Sequence, residues 1–457
     1  MAAVAIVGAG LAGLTAAYRL KRKGLRVVVY EASERAGGVI RTERRDGYLA
    51  ELGPNSMAAV GAVSAELFAQ LGLDATRLEA QREARKRYIV RKGKLIALPT
   101  APSQLLTTRL LSNGAKLAIF GEPMVEPGES PMEESVATFV RRRFNQEVLD
   151  YIANPFIGGI YAGDPEQLSA RHALPRLHDL EHTHGSVMKA LGQMMRAGAG
   201  PGGPSLTSFT GGLQEISEAF VRELRPELRL KAPVTQIRSG AKGWAVTAAY
   251  QPTELYDAVL YAAPAHCADE VDLPFEGGDR VKTLASITHP PVAVLALGFR
   301  REDLAHKLDG FGFLVPEVER RNVLGVIFSS SVFTGRAPAG HVLLTAFVGG
   351  MRHPDLANAD LSTLTARVMD DLRLLLGVRG EPTFRASHLW PKAIPQYALG
   401  YGRFKEIMDD AERRNPGLAL AGSYREGVAL DDVITAATQA ADRLAAQVGA
   451  GEEVARP

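Results

Sequence analysis

Three glycines and one acid near the start of the chain have the types and spacing of a dinucleotide site. Gly8, Gly10 and Gly13 follow the apolar run Val4 to Val7, and Glu31 lies 18 residues beyond Gly13. Gly8 permits a tight turn, Gly10 lets the backbone approach a pyrophosphate, and Gly13 lets a helix pack closely on a strand. Free N–H groups at a helix N-terminus bind phosphate, and an acid after the second strand accepts hydrogen bonds from ribose hydroxyls. The pattern predicts a phosphate cradle with a ribose-binding acid.

The elements that must position these residues lie on both sides of the glycines. Val4 to Val7 predicts a strand, the amphipathic stretch Leu14 to Leu20 predicts a helix, and the β-branched run Val27 to Tyr30 predicts a second strand. Strand, glycine turn, helix, strand and acid follow one another in the order of a βαβ unit. A glycine triplet alone is a weak signal, but with these elements in register it indicates a bound dinucleotide.

A second pair of glycines, Gly37 and Gly38, follows Glu31 closely and is flanked by Arg35 and Arg41. The pair predicts further approach of backbone to phosphate, and the two arginines supply positive charge to balance the phosphates. This extended fingerprint resembles that of the FAD-dependent amine-oxidase-like flavoproteins, whereas NAD sites normally lack the second element. The resemblance implies FAD, and the C-terminal turn at 427–430 contains no cysteine that could hold the flavin covalently.

Composition and charge exclude several other classes of protein. The chain has 457 residues, of which 46% are hydrophobic and 23% charged, as expected for a soluble protein of two or three domains. A net charge of +2 predicts no steering towards nucleic acid. The single cysteine, Cys267, excludes an internal disulfide and a multi-cysteine metal site. We expect Cys267 to be a partly buried thiol that is no nucleophile, and we expect no bound metal.

One apolar stretch leaves membrane contact open. No apolar run reaches the roughly 18 residues that span a bilayer, and no signal peptide precedes the first predicted strand, which together predict a cytoplasmic location. Leu105 to Phe120 is apolar with two basic residues, and Arg141 to Arg143 lies nearby. Peripheral contact with the cytoplasmic membrane would use such a segment. The favoured interpretation is a helix packed within its own domain.

Strand-like and helical stretches alternate in blocks that predict an α/β chain of three domains. A strand, a glycine turn and a helix occur again at Leu418 to Gly422 and Asp432 to Val448, so one nucleotide-binding domain is assembled from distant segments. The Gly/Pro-rich stretch 197–204 predicts a linker. We predict a Rossmann-type FAD-binding domain with the topology of p-hydroxybenzoate hydroxylase and monoamine oxidase at 1–80, 205–280 and 410–457, an α+β substrate-binding domain at 81–94 and 281–409, and an inserted helical domain, open to membrane contact, at 95–204.

Motifs outside the nucleotide site resemble those of a narrower family, the oxygen-dependent protoporphyrinogen oxidases. They include Lys86 to Ile89, Asn154 to Asp164, Gly310 to Pro316, Phe347 to Gly350 and Trp390 to Tyr397. The resemblance runs nearly from end to end of the chain. It implies oxidation of protoporphyrinogen IX to protoporphyrin IX in haem biosynthesis, in three two-electron steps. Dioxygen would reoxidise non-covalent FAD and leave as hydrogen peroxide each time.

The resemblance also implies the residues of both sites. Those expected against FAD are Gly8, Gly10, Leu11, Ala12, Gly13, Glu31, Ala32, Arg35, Gly38, Arg41, Gly53, Pro54, Asn55, Val234, Trp390, Gly422, Val428 and Leu430. Those expected against the substrate are Arg87, Asn55, Gly158, Gly159, Leu314, Ile327 and Phe347. Arg87 would pair with a propionate, and the apolar side chains would enclose the tetrapyrrole. No side chain is expected to act as a catalytic acid or base, because flavin N5 accepts the hydride and the pyrrole N–H can lose its own proton once the adjacent carbon is oxidised.

Alternatives to this interpretation stay open at the level of sequence. Coproporphyrinogen III, with four carboxylates, is the alternative substrate. An amine or carotenoid oxidoreductase shares fold and cofactor, but amine oxidases usually carry a lysine on a substrate-domain strand, and Pro291 to Phe299 contains none. A binding protein that has lost FAD is disfavoured by the intact glycines and Glu31. Besides dioxygen and a porphyrinogen, the partners left open are ferrochelatase, a membrane surface and a second copy of the chain.

Overall fold

The structure is a computed structural model that describes residues 1–58, 60–126, 128, 133–196 and 205–449, without the side chains of Pro102 and 194–196. The linker predicted at 197–204 lies outside the described residues. Within them, two large sheets and a group of helices account for most of the chain.

A parallel sheet of five strands contains the N-terminal βαβ unit. Its strands, in spatial order, are Leu228–Arg229, Arg26–Tyr30, Ala3–Val7, Ala258–Tyr261 and Leu418–Leu420. The central strand Ala3–Val7 is buried along its whole length, as expected for a parallel sheet covered on both faces. Helices Leu11–Arg22 and Leu430–Gln447 pack against each other and share one apolar core with these strands. Because all the strands run in one direction, their carboxyl ends meet at one edge, where both helices begin.

A seven-stranded, mostly antiparallel sheet forms the second large layer. Its order is Phe384–Trp390, Val292–Arg300, His341–Gly349, Val323–Ile327, Gly312–Leu314, Arg87–Arg91 and Lys94–Ala97. Helix Leu361–Leu376 covers one face of this sheet and buries its apolar side chains in a separate core. Asp360 caps this helix by accepting from the Thr363 N–H at 3.0 Å, and Gly377 ends it at φ 64°. The predicted bounds of this helix are confirmed.

Smaller sheets connect the two large ones. A three-stranded antiparallel sheet comprises Val234–Gly240, Gly243–Ala248 and Glu254–Tyr256, and a hairpin comprises Thr42–Arg45 and Tyr48–Glu51. A third sheet comprises Met57–Ala58, Leu206–Phe209 and Arg77–Glu79. Longer helices outside the middle region are Ala62–Gln70, Gln214–Leu224 and Gly402–Arg414.

The middle of the chain is helical, with a buried ion-pair cluster at its centre. Its helices are Pro102–Thr107, Asn113–Gly121, Val136–Arg143, Gln146–Val148, Asn154–Tyr161, Ala170–Ala173, Pro175–His184 and Val187–Arg196, with a π-helical turn at Leu149–Ala153. Arg143 is paired with Glu122 and lies 3.2 Å from Glu181, and all three side chains are buried. Because a buried charge is stable only when it is paired and hydrogen-bonded, this cluster fixes how the helices pack.

Two expectations from the sequence were wrong in detail. Leu228 to Ile237 reads as one strand but forms two strands in different sheets, because Lys231 adopts φ 53° and Pro233 has no N–H to donate. Leu105 to Phe120 is not one packed helix. A first helix ends at Thr107, and Ser112, whose hydroxyl accepts from the Ala115 N–H at 3.2 Å, caps a second helix. Among the described residues no helix has the length and apolar character needed to cross a bilayer.

Candidate active site

The first glycine loop has the geometry of a phosphate cradle. Gly8 has φ +102°, and a methyl group on it would lie 2.9 Å from the Ala263 nitrogen. A methyl on Gly13 would lie 1.9 Å from the Gly8 oxygen. Gly10 differs, because no described atom lies within 4 Å of the position of its missing Cβ, and it is the N-cap of helix Leu11–Arg22. The space beside Gly10, next to the free N–H groups of the first helical turn, fits the diphosphate of FAD.

Glu31 is held in place at the end of the second strand. Its carboxylate accepts from the Ala9 N–H at 2.8 Å and the Ser33 N–H at 2.9 Å, and Ala32 beside it is exposed. The Ala232 N–H donates to the Glu31 carbonyl oxygen at 2.8 Å. This bond brings the segment that leads to Val234 beside the acid. The structure therefore brings the predicted ribose and adenine residues together.

The second glycine loop folds over the first. The Gly37 N–H donates to the Ala9 oxygen at 2.8 Å, and a methyl on Gly38 would lie 3.1 Å from the Gly10 Cα. Arg35 donates from Nη1 to the carbonyl oxygens of Ala36 and Ile40 at 3.1 and 3.2 Å, and from Nη2 to that of Gly38. Its guanidinium therefore holds the loop itself, and its contact with phosphate stays a prediction. Arg41 is exposed.

The predicted flavin end lies where the two large sheets meet. Trp390, the last residue of its strand, donates from Nε1 to the Leu52 oxygen at 2.7 Å. Gly53, which follows Leu52, leaves no room for a side chain, since its Cβ would lie 2.0 Å from the Val39 oxygen. Asn55 donates to the Gly53 oxygen at 3.0 Å. These contacts join the loop 52–56, which includes the half-buried Pro54, to the seven-stranded sheet.

The C-terminal turn brings a second helix N-terminus to the same edge of the parallel sheet. Gly422 follows the strand Leu418–Leu420, and helix Leu430–Gln447 begins after Ala429, a residue that has no side chain able to cap it. Val428 is half-buried and Leu430 is buried. The free N–H groups of this helix can bind the polar edge of a flavin ring, in the way that the first helix can bind phosphate.

The predicted substrate residues share one face of the seven-stranded sheet. Gly312 lies between Arg87 and Ile327 in register, and the neighbouring row contains Leu314, Gly325 and Phe347. Directly paired residues on adjacent strands project to the same face. The side chains of Leu314, Ile327 and Phe347 are half-buried, whereas the strand residues between them are buried. These side chains form an apolar surface that is partly open.

Arg87 is a desolvated cation at the edge of this surface. Its side chain is half-buried and its guanidinium carbon lies 5.7 Å from the centre of the Phe311 ring. Burial lowers the pKa of the guanidinium, which nevertheless stays charged at neutral pH. No described residue offers an acceptor or a carboxylate within bonding distance of it. The five donors of this guanidinium are available for a carboxylate.

Helix Asn154–Tyr161 closes the other side of the surface. A methyl on Gly159 would lie 2.7 Å from Leu314 Cδ2, and one on Gly158 would lie 3.5 Å from Arg352 Nη2. Arg352 donates to the Val315 oxygen at 2.8 Å and to Asn154 Oδ1 at 3.1 Å, and so fixes this helix to the sheet. The glycines thus let the helix backbone approach Leu314 closely.

Sequence reasoning missed Arg352 and His388. Arg352 follows the Gly349-Gly350 pair of a motif that was singled out, and His388 is two residues before Trp390. His388 pairs with Val294, which pairs with Phe347, so it continues the row of Leu314 and Phe347. Its ring centre lies 4.2 Å from that of Trp390. The two-residue period of a strand could have indicated His388, because residues i and i+2 share a face.

The single cysteine, Cys267, has the partly buried position that the sequence predicts. Burial is the main cause that raises the pKa of its thiol to about 11, and this disfavours the reactive thiolate at neutral pH. In the part of the chain that the structure describes, no three His, Cys, Asp or Glu side chains are arranged to hold a metal ion.

Comparison with known proteins places the chain among flavoenzymes. Residues 11–445 match the family of flavin-containing amine oxidoreductases. The chain belongs to this family. The FAD prediction is confirmed, and the chain is an FAD-dependent oxidoreductase. The cradle at Gly10, the fixed Glu31 and the second helix N-terminus at Leu430 are the features that fit the cofactor.

The relatives of this chain within the family include oxidases of two porphyrinogens. The chain is 35% identical to protoporphyrinogen oxidase 2 of Arabidopsis thaliana, with 96% of this chain and 93% of that protein aligned. It is 29% identical to coproporphyrinogen III oxidase of Staphylococcus aureus, over 97% and 99% of the two chains. A crystal structure from Exiguobacterium with a provisional protoporphyrinogen oxidase name superposes with a TM-score of 0.81 at 24% identity, over 98% and 99% of the chains. The predicted fold class and the resemblance to protoporphyrinogen oxidases are confirmed.

Proposed function

We propose that the protein oxidises protoporphyrinogen IX to protoporphyrin IX, with FAD as hydride acceptor and dioxygen as final acceptor. The observation that carries the proposal is Arg87, a half-buried guanidinium without a carboxylate partner among the described residues, at the edge of a partly open apolar surface. A tetrapyrrole with carboxylates on one edge has the complementary chemistry. The names of the relatives in Arabidopsis thaliana and tobacco agree with this substrate.

The residues of the site have distinct tasks in this reaction. Each two-electron step removes one hydride and one proton, and over three steps the four meso carbons lose one hydrogen each and two pyrrole nitrogens lose one each. The three steps consume three dioxygen molecules and form three hydrogen peroxide molecules. Bound FAD supplies the hydride acceptor. Arg87 binds a propionate and sets the rotation of the macrocycle. Leu314, Ile327 and Phe347 exclude water from the ring, and Gly159 leaves room for the Leu314 side chain against the helix.

Coproporphyrinogen III is the second candidate substrate, and Arg352 is the observation that favours it. This half-buried arginine lies beside Gly158, and its guanidinium has two acceptors, the Val315 oxygen and Asn154 Oδ1. A second cation on the opposite side of Leu314 from Arg87 suits a macrocycle that carries carboxylates on more than one edge. Curated relatives in Staphylococcus aureus and Propionibacterium freudenreichii are coproporphyrinogen III oxidases.

The proposal is tested by aerobic turnover of the flavin-loaded protein with each porphyrinogen in parallel. Porphyrin fluorescence and peroxide are followed together. Faster formation of protoporphyrin, with three peroxides per porphyrin, supports the first substrate, and faster formation of coproporphyrin supports the second. Turnover of neither substrate by a flavin-loaded protein would reject both and favour an amine or carotenoid substrate.

We also propose that the helical region binds the surface of a membrane. Large apolar side chains are exposed on its first helices: Leu106 (62%), Leu117 (72%), Phe120 (45%) and Met124 (87%). Arg109 is exposed beside them, and Lys116 reaches the Leu106 oxygen at 2.9 Å. Apolar side chains with neighbouring basic groups are the composition of an interfacial membrane contact. A membrane would also give an apolar porphyrinogen a short path to the protein.

Replacing Leu117 with aspartate is expected to weaken binding to anionic phospholipid vesicles by roughly tenfold or more. The change removes the most exposed leucine of the first two helices and adds a negative charge that anionic lipid repels. Cosedimentation with vesicles measures the bound fraction. Leu361→Asp is the matched control, because Leu361 is also exposed (56%) but lies on the helix that covers the seven-stranded sheet. Equal binding by the Leu117 variant and the control would reject this surface.

A further inference from the structure

A small cavity lies beside the candidate active site, and one nitrogen of a buried arginine in its lining has no hydrogen-bond partner among the described residues. Its volume is about 10 Å³, enough for one molecule the size of water. Apolar side chains form much of its wall: Leu49, Phe311, Ile327, Val332 and Phe333. Its polar lining is Glu51, Asn55, Ser56, Ser329 and Arg336.

Arg336 is the unusual member of this lining. Its side chain is only 2% exposed. Nη2 donates to Ser208 Oγ at 2.6 Å and to the Phe209 oxygen at 3.3 Å, whereas Nη1 is buried without a hydrogen-bond partner among the described residues. A buried donor without an acceptor is costly, so Nη1 indicates a ligand that accepts a hydrogen bond or carries negative charge.

Glu51, the nearby acid, does not accept a hydrogen bond from Nη1 of Arg336. Glu51 Oε1 accepts from the Leu213 N–H at 2.8 Å, and Oε2 accepts from the Thr42 hydroxyl at 2.7 Å. Its closest approach to Arg336 is 3.8 Å, to Nη2. Both carboxylate oxygens thus accept hydrogen bonds from other groups, and Nη1 of Arg336 has no acceptor among the described residues.

The cavity is lined by residues of both the predicted flavin end and the predicted substrate surface. Asn55 and Ser56 belong to the loop joined to Trp390 at the predicted flavin end, and Ile327 belongs to the predicted substrate surface. The cavity therefore lies where these two predicted regions meet. It is too small for a propionate or a pyrrole ring, and of the proposed reactants only dioxygen approaches its size.

We propose that this cavity binds dioxygen and that Arg336 stabilises the anion formed when dioxygen is reduced. Dioxygen is small and apolar and fits the walls. Transfer of one electron converts it to superoxide, which carries a negative charge, and a second electron and two protons complete hydrogen peroxide. The reduced flavin supplies both electrons and one proton, and solvent supplies the other proton. A fixed guanidinium in a buried site stabilises such a charge without reorganisation. The inference uses the proposed acceptor, dioxygen, but does not depend on which porphyrinogen is oxidised.

The test measures flavin reoxidation without any substrate. The flavin-loaded protein is photoreduced under anaerobic conditions and mixed with dissolved dioxygen, and the return of flavin absorbance gives a second-order rate constant. Arg336→Met is expected to lower this rate constant roughly 10²-fold, and Arg336→Lys to restore part of it. Arg385→Met, which removes an exposed arginine of the strand Phe384–Trp390, is expected to leave the rate constant unchanged. If the methionine variant does not load flavin, the lysine variant still tests the charge.

A second readout is independent of turnover. Chloride, a small anion used here as the probe, is expected to perturb the absorbance of the oxidised flavin in the wild type but not in Arg336→Met. Equal reoxidation rates in wild type and both Arg336 variants would overturn the proposal, as would a chloride response that survives in Arg336→Met. A wild-type protein that reacts with dioxygen but turns over neither porphyrinogen would reject the proposed substrates while leaving this site supported.

Discussion

Replacing Gly10 with valine is expected to leave the fold intact and to abolish FAD binding. The backbone of Gly10 has φ −73° and ψ −179°, which any residue can adopt, and no described atom lies within 4 Å of its missing Cβ. The new side chain would therefore enter only the space assigned to the pyrophosphate. Flavin released on denaturation of the purified protein measures the loading, and thermal unfolding of the apoprotein measures the fold.

Two other glycines make this prediction specific. Gly192, on helix Val187–Arg196, also has open space beside it, so Gly192→Val is the matched control and is expected to load flavin normally. Gly13→Ala is expected to fail in a different way, as unfolded protein, because its methyl would overlap the Gly8 oxygen. A Gly10→Val protein replete with FAD would contradict the phosphate cradle.

Replacing Arg87 with alanine is expected to raise KM for the porphyrinogen by roughly 10- to 100-fold and to leave flavin content unchanged. The size follows from the loss of a charge-assisted hydrogen bond, about 1.5–3 kcal/mol. The guanidinium has no acceptor among the described residues, so its removal leaves no protein group unpaired. Steady-state kinetics and the flavin spectrum of the same preparation provide both measurements.

Two further substitutions distinguish the binding of a propionate by Arg87 from a general effect of positive charge. Arg85→Ala removes an exposed arginine two residues away and is expected to have no effect on KM. Arg87→Lys is expected to lie between wild type and alanine, because an ammonium keeps the charge but cannot bind a carboxylate in a bidentate way. Loss of flavin from Arg87→Ala would show that the residue contributes to the cofactor site.

The nucleotide site could be predicted from sequence because its signals are local. The glycine turn, the helix that follows it and Glu31 lie within one short stretch, and each residue type has a steric or electrostatic reason at its own position. Helix Leu361–Leu376 was equally predictable, since an aspartate cap and a terminal glycine delimit an apolar period.

The rest of the candidate site could not be predicted from the sequence, because it depends on contacts between distant segments. The row that joins Leu314, Phe347 and His388 is set by strand register, which a single sequence does not specify. Arg336 lies outside the motifs that the sequence analysis singled out. Its importance follows only from its burial and from Nη1, which has no partner among the described residues. Arg35 has the residue type of a phosphate ligand, but tertiary folding directs its guanidinium to backbone carbonyls.

The five-stranded parallel sheet combines segments that are synthesised at very different times. Its central strand Ala3–Val7 leaves the ribosome first, but its outer strand Leu418–Leu420 and the helix Leu430–Gln447 leave it late. Until then helix Leu11–Arg22 lacks one of its packing partners, and part of its apolar face is open to chaperones and to other nascent chains. Because the predicted flavin site includes the turn that precedes Leu430–Gln447, we expect FAD to bind only after this last helix has been synthesised.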